Sequence, residues 1–125
     1  MGFYIENFHW VLYITGAFTL LPLLGFFNPA QAMQGTFGRE PADDIERLVM
    51  RHWGLLVGMA GALLIWAGFE EAYRTPILLF AAIEKIAIVF MIFSIRDKLQ
   101  GTQAPGIMVA DSVMAALYVI YLIAA

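Results

Sequence analysis

Four apolar stretches set the terms for this chain. They run over about residues 8–27, 44–69, 76–95 and 106–124. Each is near the roughly 20 residues that carry a helix across about 30 Å of hydrocarbon. They are too long for strands, and their apolar period is helical. An open sheet would leave unpaired edges in lipid. The expected fold is therefore all-α: an integral membrane four-helix bundle, up-down-up-down, forming one domain over residues 1–125. Composition agrees, with 62% hydrophobic and 14% charged residues. A soluble domain of this size lacks the interior to hide that much apolar surface.

Punctuation fixes the ends. Asn28-Pro29 closes the first span, because the residue before proline is pushed out of the helical region. Pro41 precedes the second, where Asp43 and Asp44 offer cap oxygens and favourable charge. Thr75-Pro76 opens the third, with Thr75 read as the cap. Pro105 precedes the fourth. The first stretch has no basic leader and no small-residue cleavage site, so it is expected to stay as a helix.

Four spans put both termini on one side. The opposite connections and helix ends hold Arg39, Arg47, Arg51, Arg96 and Lys98, whereas the termini side holds only Arg74. The positive-inside rule then places both termini outside the cytoplasm, in a membrane expected to be a bacterial inner membrane. The net charge of −3 and the lack of a basic run exclude a nucleic-acid partner. With no cysteine, thiolate metal sites and cysteine nucleophiles are excluded as well.

Charge at mid-span is the exceptional feature. Glu84-Lys85 sits at the centre of the third stretch, where an ionised side chain costs at least about 2.5–3.5 kcal/mol. Leu79, Ile83, Ile86, Phe90 and Phe93 form one bulky lipid-facing stripe. Ala81, Glu84, Lys85, Ile88 and Ile92 fall opposite and should meet other helices. In the second span Arg47, Arg51, Gly54, Gly58 and Gly61 share a face. Gly54, Gly58 and Gly61 permit close helix packing. Asp111 lies about one turn inside the fourth span, on a face with Met108, Ala115, Tyr118 and Leu122. By rise per residue, Arg51 lies roughly 9 Å and Asp111 roughly 7 Å toward the cytoplasmic side, with Glu84 and Lys85 near the centre. One neutral network of Arg51, Glu84, Lys85 and Asp111 is expected, with His52 or Tyr118 at its edge. Thr15, Thr19 and Pro22 on the first span, beside Tyr118, mark a candidate ligand cleft. Pro22 frees a carbonyl and should bend its helix.

Recognisable catalytic machinery is missing. Ser94 and Ser112 have no nucleophile-elbow context, and no phosphate loop occurs. His9 and His52 are separated by roughly 20 Å along the membrane normal, too far to share a haem or metal. Glu70 and Glu71 read as a solvated helix end paired with Arg74. The methionines read as gap filling. No catalytic residue, metal or obligate cofactor is expected, although a bound lipid or quinone would fit.

The spacing of Asn28-Pro29-Ala30, Arg51-His52-Trp53-Gly54 and Arg74-Thr75-Pro76-Ile77-Leu78 resembles small bacterial four-helix membrane proteins of the DoxX-like kind. The resemblance covers most of the chain. It implies a small membrane protein, in some cases a subunit attached to quinone-linked oxidoreductases, and assigns no catalytic residue. The leading expectation is a non-catalytic membrane subunit that packs in a larger membrane complex or with copies of itself. A proton, ion or small-solute transporter or channel using the buried charges is the alternative. A lipid- or quinone-binding protein is the third. Buried ion pairs that merely fix helix register remain the structural reading beside all three.

Overall fold

A computed structural model describes all 125 residues and contains helices and turns only. The elements are α1 (Gly2–Glu6), α2 (Phe8–Leu20), α3 (Leu24–Phe27), α4 (Pro29–Phe37), α5 (Asp44–Phe69), α6 (Arg74–Ser94) and α7 (Ala104–Ala124). Four long apolar helices satisfy the length and hydropathy needed to cross a membrane: Phe8–Phe27, Asp44–Phe69, Glu71–Ser94 and Ala104–Ala124. Large apolar side chains such as Phe18, Leu24, Leu79, Ile83, Phe90 and Ile123 stand exposed along them. Apolar surface on that scale is solvated by lipid, so the chain is an integral membrane protein.

Pro22 shapes the first span. The helix tightens into a 3-10 turn over Leu21–Leu23 before resuming as α3, as expected where proline removes a donor from the ladder. Asn28-Pro29 ends that span and also begins α4. The Asn28 side chain accepts a hydrogen bond from the Gln31 amide at 3.2 Å, and Pro29 occupies the first turn. Gly38, at φ 83°, ends α4 in a left-handed cap. The Asp43 carboxylate caps α5 by accepting from the Glu46 amide at 2.9 Å.

Thr75 does not cap the third span. A 3-10 turn over Glu71–Tyr73 leads directly into α6 at Arg74. Pro76 is then the third helical residue, still within the turn whose amides need no intrahelical partner. The fourth span also starts earlier than expected, at Ala104, with Pro105 in its first turn.

Two helix pairs build the interior. The span α2–α3 lies along α5, and α6 lies along α7. The first pair owes its closeness to glycine. A Cβ at Gly54 would fall 2.4 Å from the Pro22 carbonyl oxygen, and one at Gly61 would fall 2.6 Å from the Leu20 amide nitrogen. Gly58 lies directly against Leu23. The glycine face therefore packs within the chain. The pairs join in a core at the termini end, where Phe8, Leu12, Leu64, Leu78 and Tyr118 are fully buried. Phe8 stacks on Tyr121 at 4.0 Å, and the Tyr4 hydroxyl donates to the Leu117 carbonyl.

Toward the loop end the pairs diverge. There α4 folds back toward the start of α7, and the Gln103 amide donates to the Gly35 carbonyl at 3.2 Å. A small core of Ile92, Leu99 and Ala104 seals the loop side. The aromatic core above and this seal below leave a space between them.

Candidate functional site

That space is a cavity of about 680 Å³. One wall is Phe18, Leu21, Pro22 and Leu24 of the first span; the other is Ile107, Ala110, Asp111 and Met114 of α7. Trp53 and Val57 of α5 and Lys85 and Ile88 of α6 form the back. Asn28, Gln31, Thr36 and Gln103 supply polar groups at the loop end. Bonds and ring contacts between the first span and α7 occur above it, at Phe8–Tyr121, and at its upper edge, at Thr19–Met114. Below Thr19 the two helices flank the cavity. Exposed Phe18, Leu21 and Leu24 border it on the lipid-facing side. The cavity therefore faces the acyl chains sideways, between α3 and α7.

Lys85 forms its polar floor. Leu79, Ile83, Ile86, Phe90 and Phe93 are exposed, so the opposite face of α6 turns inward and takes Lys85 with it. Lys85 is only 1% exposed. Its ammonium donates to Thr19 Oγ1 at 3.0 Å and to Asp111 Oδ1 at 3.3 Å. The Thr19 hydroxyl donates onward to the Thr15 carbonyl at 2.7 Å. The ion pair with Asp111 joins α6 to α7, and the bond to Thr19 joins both to α2. A cation this deep is stable only with such partners.

Glu84 also lines the cavity. Its Oε2 is buried and has no hydrogen-bond partner. The floor thus brings one ammonium and two carboxyl groups together, with an unmet acceptor on Glu84. Adjacent residues on a helix diverge by about 100°, so Glu84 cannot fold onto the ammonium beside it as Asp111 does from across the gap.

Three of the anticipated residues, Arg51, His52 and Thr15, stand elsewhere. Arg51 is exposed and outside the network. Its Nε donates to the Phe26 carbonyl at 3.0 Å, and its guanidinium covers the Phe26 ring at 4.6 Å. It satisfies a carbonyl at the end of α3, where cationic groups are favoured. Matching depth with Asp111 did not bring them together, because the α2–α3 backbone occupies the glycine face between them. His52 is exposed and forms no network edge. Tyr118 is fully buried in the core with its hydroxyl unpartnered, within electrostatic reach of Asp111 and Glu84 at the edge of the charged group. Thr15 is buried above the cavity, where its hydroxyl donates to the Val11 carbonyl at 2.7 Å. Of the expected cleft residues, Thr19 and Pro22 line the cavity.

Two features escaped the sequence reading. Asn28-Pro29 with Gly38 is a start-and-stop signature for a short helix, and α4 brings Gln31 and Gly35 to one side of the cavity. Arg74 is the other. It is 7% exposed and donates to the carbonyls of Ala67 at 3.0 Å and Gly68 at 3.4 Å, and to the Tyr121 hydroxyl at 3.2 Å. Glu71 stands 3.8 Å from it and is largely exposed. The terminal carbonyls of α5, more than the neighbouring acid, hold this cation.

Fold and site together define an all-helical integral membrane protein with a lipid-facing cavity and a buried ion pair at its floor. No protein-family model, curated protein or solved structure matches the chain.

Proposed function

We propose that this is a small, non-catalytic membrane protein that holds an amphiphilic molecule, a lipid or a quinone, in the cavity between α3 and α7. The observation that carries the reading is the joining of apolar side walls to an ionised floor, Lys85–Asp111, in one space of about 680 Å³. Ligand sites of this size are mostly apolar, with a few converging polar groups that orient the ligand. A tail would lie against Phe18, Leu21 and Leu24, and a polar head would reach the floor.

The reading includes an up-down-up-down four-helix bundle in a bacterial inner membrane, with both termini outside the cytoplasm. Structural detail strengthens the charge asymmetry behind that orientation. Arg74, the termini-side cation, is turned inward and held by carbonyls. Arg47, Arg51, Arg96 and Lys98 are exposed at the other end. The DoxX-like resemblance points the same way, since it implies small membrane proteins near quinone-linked enzymes. A holder of this kind works equally within a larger membrane assembly. The glycine face that suggested such a partner is filled by α2–α3.

The test is extraction in mild detergent followed by mass spectrometry of retained organic molecules. A near-stoichiometric amphiphile is expected with the natural chain. Ala110→Phe, which places a ring in the cavity from an exposed position on α7, should abolish retention while the helical spectrum persists. Equal retention by both proteins would put the ligand outside the cavity.

A further inference from the structure

The cavity floor has more acceptors than donors, and that imbalance selects the head of its ligand. Three ionisable side chains meet there: Glu84, Lys85 and Asp111. The ammonium has three N–H donors, of which Thr19 and Asp111 take two. Asp111 is matched by Lys85. Glu84 feels the same ammonium but makes no hydrogen bond to it, and its Oε2 is buried without a partner. As carboxylates, the two acids leave the floor one negative charge in excess. Two other cations of the chain are committed elsewhere: Arg51 covers the end of α3, and Arg74 covers the end of α5. The amides of Asn28, Gln31 and Gln103 stand at the loop end of the space. An uncompensated carboxylate in a low-dielectric space is costly, and either a bound proton or an incoming cation removes that cost.

We propose that the cavity is selective for an amphiphile whose head is a primary ammonium, with Glu84 accepting its N–H and apolar walls holding its tail. The inference rests on the reading of the cavity as a ligand site and adds the chemical class of the ligand. A quinone fits this floor poorly, because its carbonyls only accept hydrogen bonds and the floor has one spare donor. A fatty acid fits worse, because it brings a third carboxyl group. A primary ammonium on a tail could come from an ethanolamine phospholipid of the bilayer or from a free long-chain amine.

The experiment uses the full chain in detergent, with native mass spectrometry counting retained probes. The probes are dodecylamine, dodecanol and dodecanoic acid, which share a tail and differ in the head. A lipid arm compares dioleoylphosphatidylethanolamine with dioleoylphosphatidylcholine, whose head has no N–H. Dodecylamine should be held at least about tenfold more tightly than dodecanol, the scale of one charged hydrogen bond. Glu84→Gln should lose that preference while still binding dodecanol, which shows that the cavity has survived the substitution. Preference for the ethanolamine lipid would identify the bilayer as the source. Preference for dodecylamine alone would identify a free amine. Equal affinity for amine and alcohol, or tighter binding of the acid, overturns the inference while leaving the cavity a ligand site. Failure of every probe to bind, in both the natural chain and Ala110→Phe, would sink the ligand-site reading itself.

Discussion

Two levels of the helix assembly solve one problem in opposite ways. Each buries a cation within apolar helices: Arg74 at the termini end and Lys85 at mid-span. Arg74 is held by backbone carbonyls and one tyrosine hydroxyl, with the rings of Phe8 and Tyr121 nearby at 5.9 and 5.6 Å. Glu71 stands 3.8 Å away but is largely exposed. Lys85 is held by a carboxylate and a threonine, beside an open space and a second, unpartnered acid. Carbonyl partners complete a structural joint without adding formal charge. Carboxylate partners bring charge of their own, and here they bring more than the lysine neutralises. The difference separates a cation that fixes the fold from a cation that belongs to a site.

The largest expected effect comes from the glycine seam that both levels share. Gly54→Val or Gly61→Val should destabilise by more than about 3 kcal/mol, because the new atoms strike backbone that cannot yield. Gly106→Ala, which meets nothing within 4 Å, should be neutral or slightly stabilising. Unfolding in graded SDS, followed by circular dichroism, measures all three.

Next comes the Lys85–Asp111 pair. Lys85→Met alone should cost about 3–5 kcal/mol by stranding Asp111. Adding Asp111→Leu should recover at least half of that loss. No recovery would mean that the two groups do not act as a pair. Arg74→Met should cost about 2–3 kcal/mol through its lost carbonyl partners. It should leave the preference for dodecylamine over dodecanol unchanged, whereas Lys85→Met, which removes the cation that neutralises Asp111, should shift it. If both variants shift the preference equally, the contrast between joint and site fails.

Smaller effects sharpen the edges. Arg51→Gln should cost less than about 1 kcal/mol, as befits an exposed cation over a ring. A loss as large as that of Lys85→Met would return Arg51 to the buried network. Tyr4 outside the spans gives a pH test. Burial pushes its hydroxyl above the ordinary value near 10. Its stabilising contribution is therefore complete below about pH 10 and declines as pH rises through the shifted value. Tyr4→Phe should flatten that alkaline slope in the same SDS titration.

The four spans were legible because bilayer thickness dictates helix length, and Asn28-Pro29 and Asp43 mark real boundaries. Lys85 and Asp111 were legible because hydrocarbon penalises outward charge, and the stripe from Leu79 to Phe93 shows which face of α6 meets lipid. Arg51 was misplaced because rise per residue gives depth but not direction around the bundle. The α2–α3 backbone, admitted by Gly54 and Gly58, filled the direction that its depth suggested. Helix α4 left its signature in Asn28, Pro29 and Gly38, yet at nine residues it is far shorter than a bilayer span and carries no hydropathy signal of that length. Glu70 and Glu71 mark a local pair for Arg74, and Glu71 stands 3.8 Å from it. The carbonyls of Ala67 and Gly68 that Arg74 also donates to are backbone groups, which no side-chain pattern marks. Gln103 reaches the cavity through its place before α7, and no sequence signal marks it.

The chain has two lysines, Lys85 and Lys98, and they provide an internal contrast for the central claim. Nuclear Overhauser spectroscopy of the chain, with ¹³C at the lysine ε-carbons and dodecylamine bound, reports what each ammonium touches. The account predicts cross-peaks from the Lys85 ε-methylene to the head-end methylenes of dodecylamine, none from exposed Lys98, and loss of those peaks in Ala110→Phe. Cross-peaks to dodecylamine from Lys98 alone, or from Lys85 unchanged by Ala110→Phe, would contradict it.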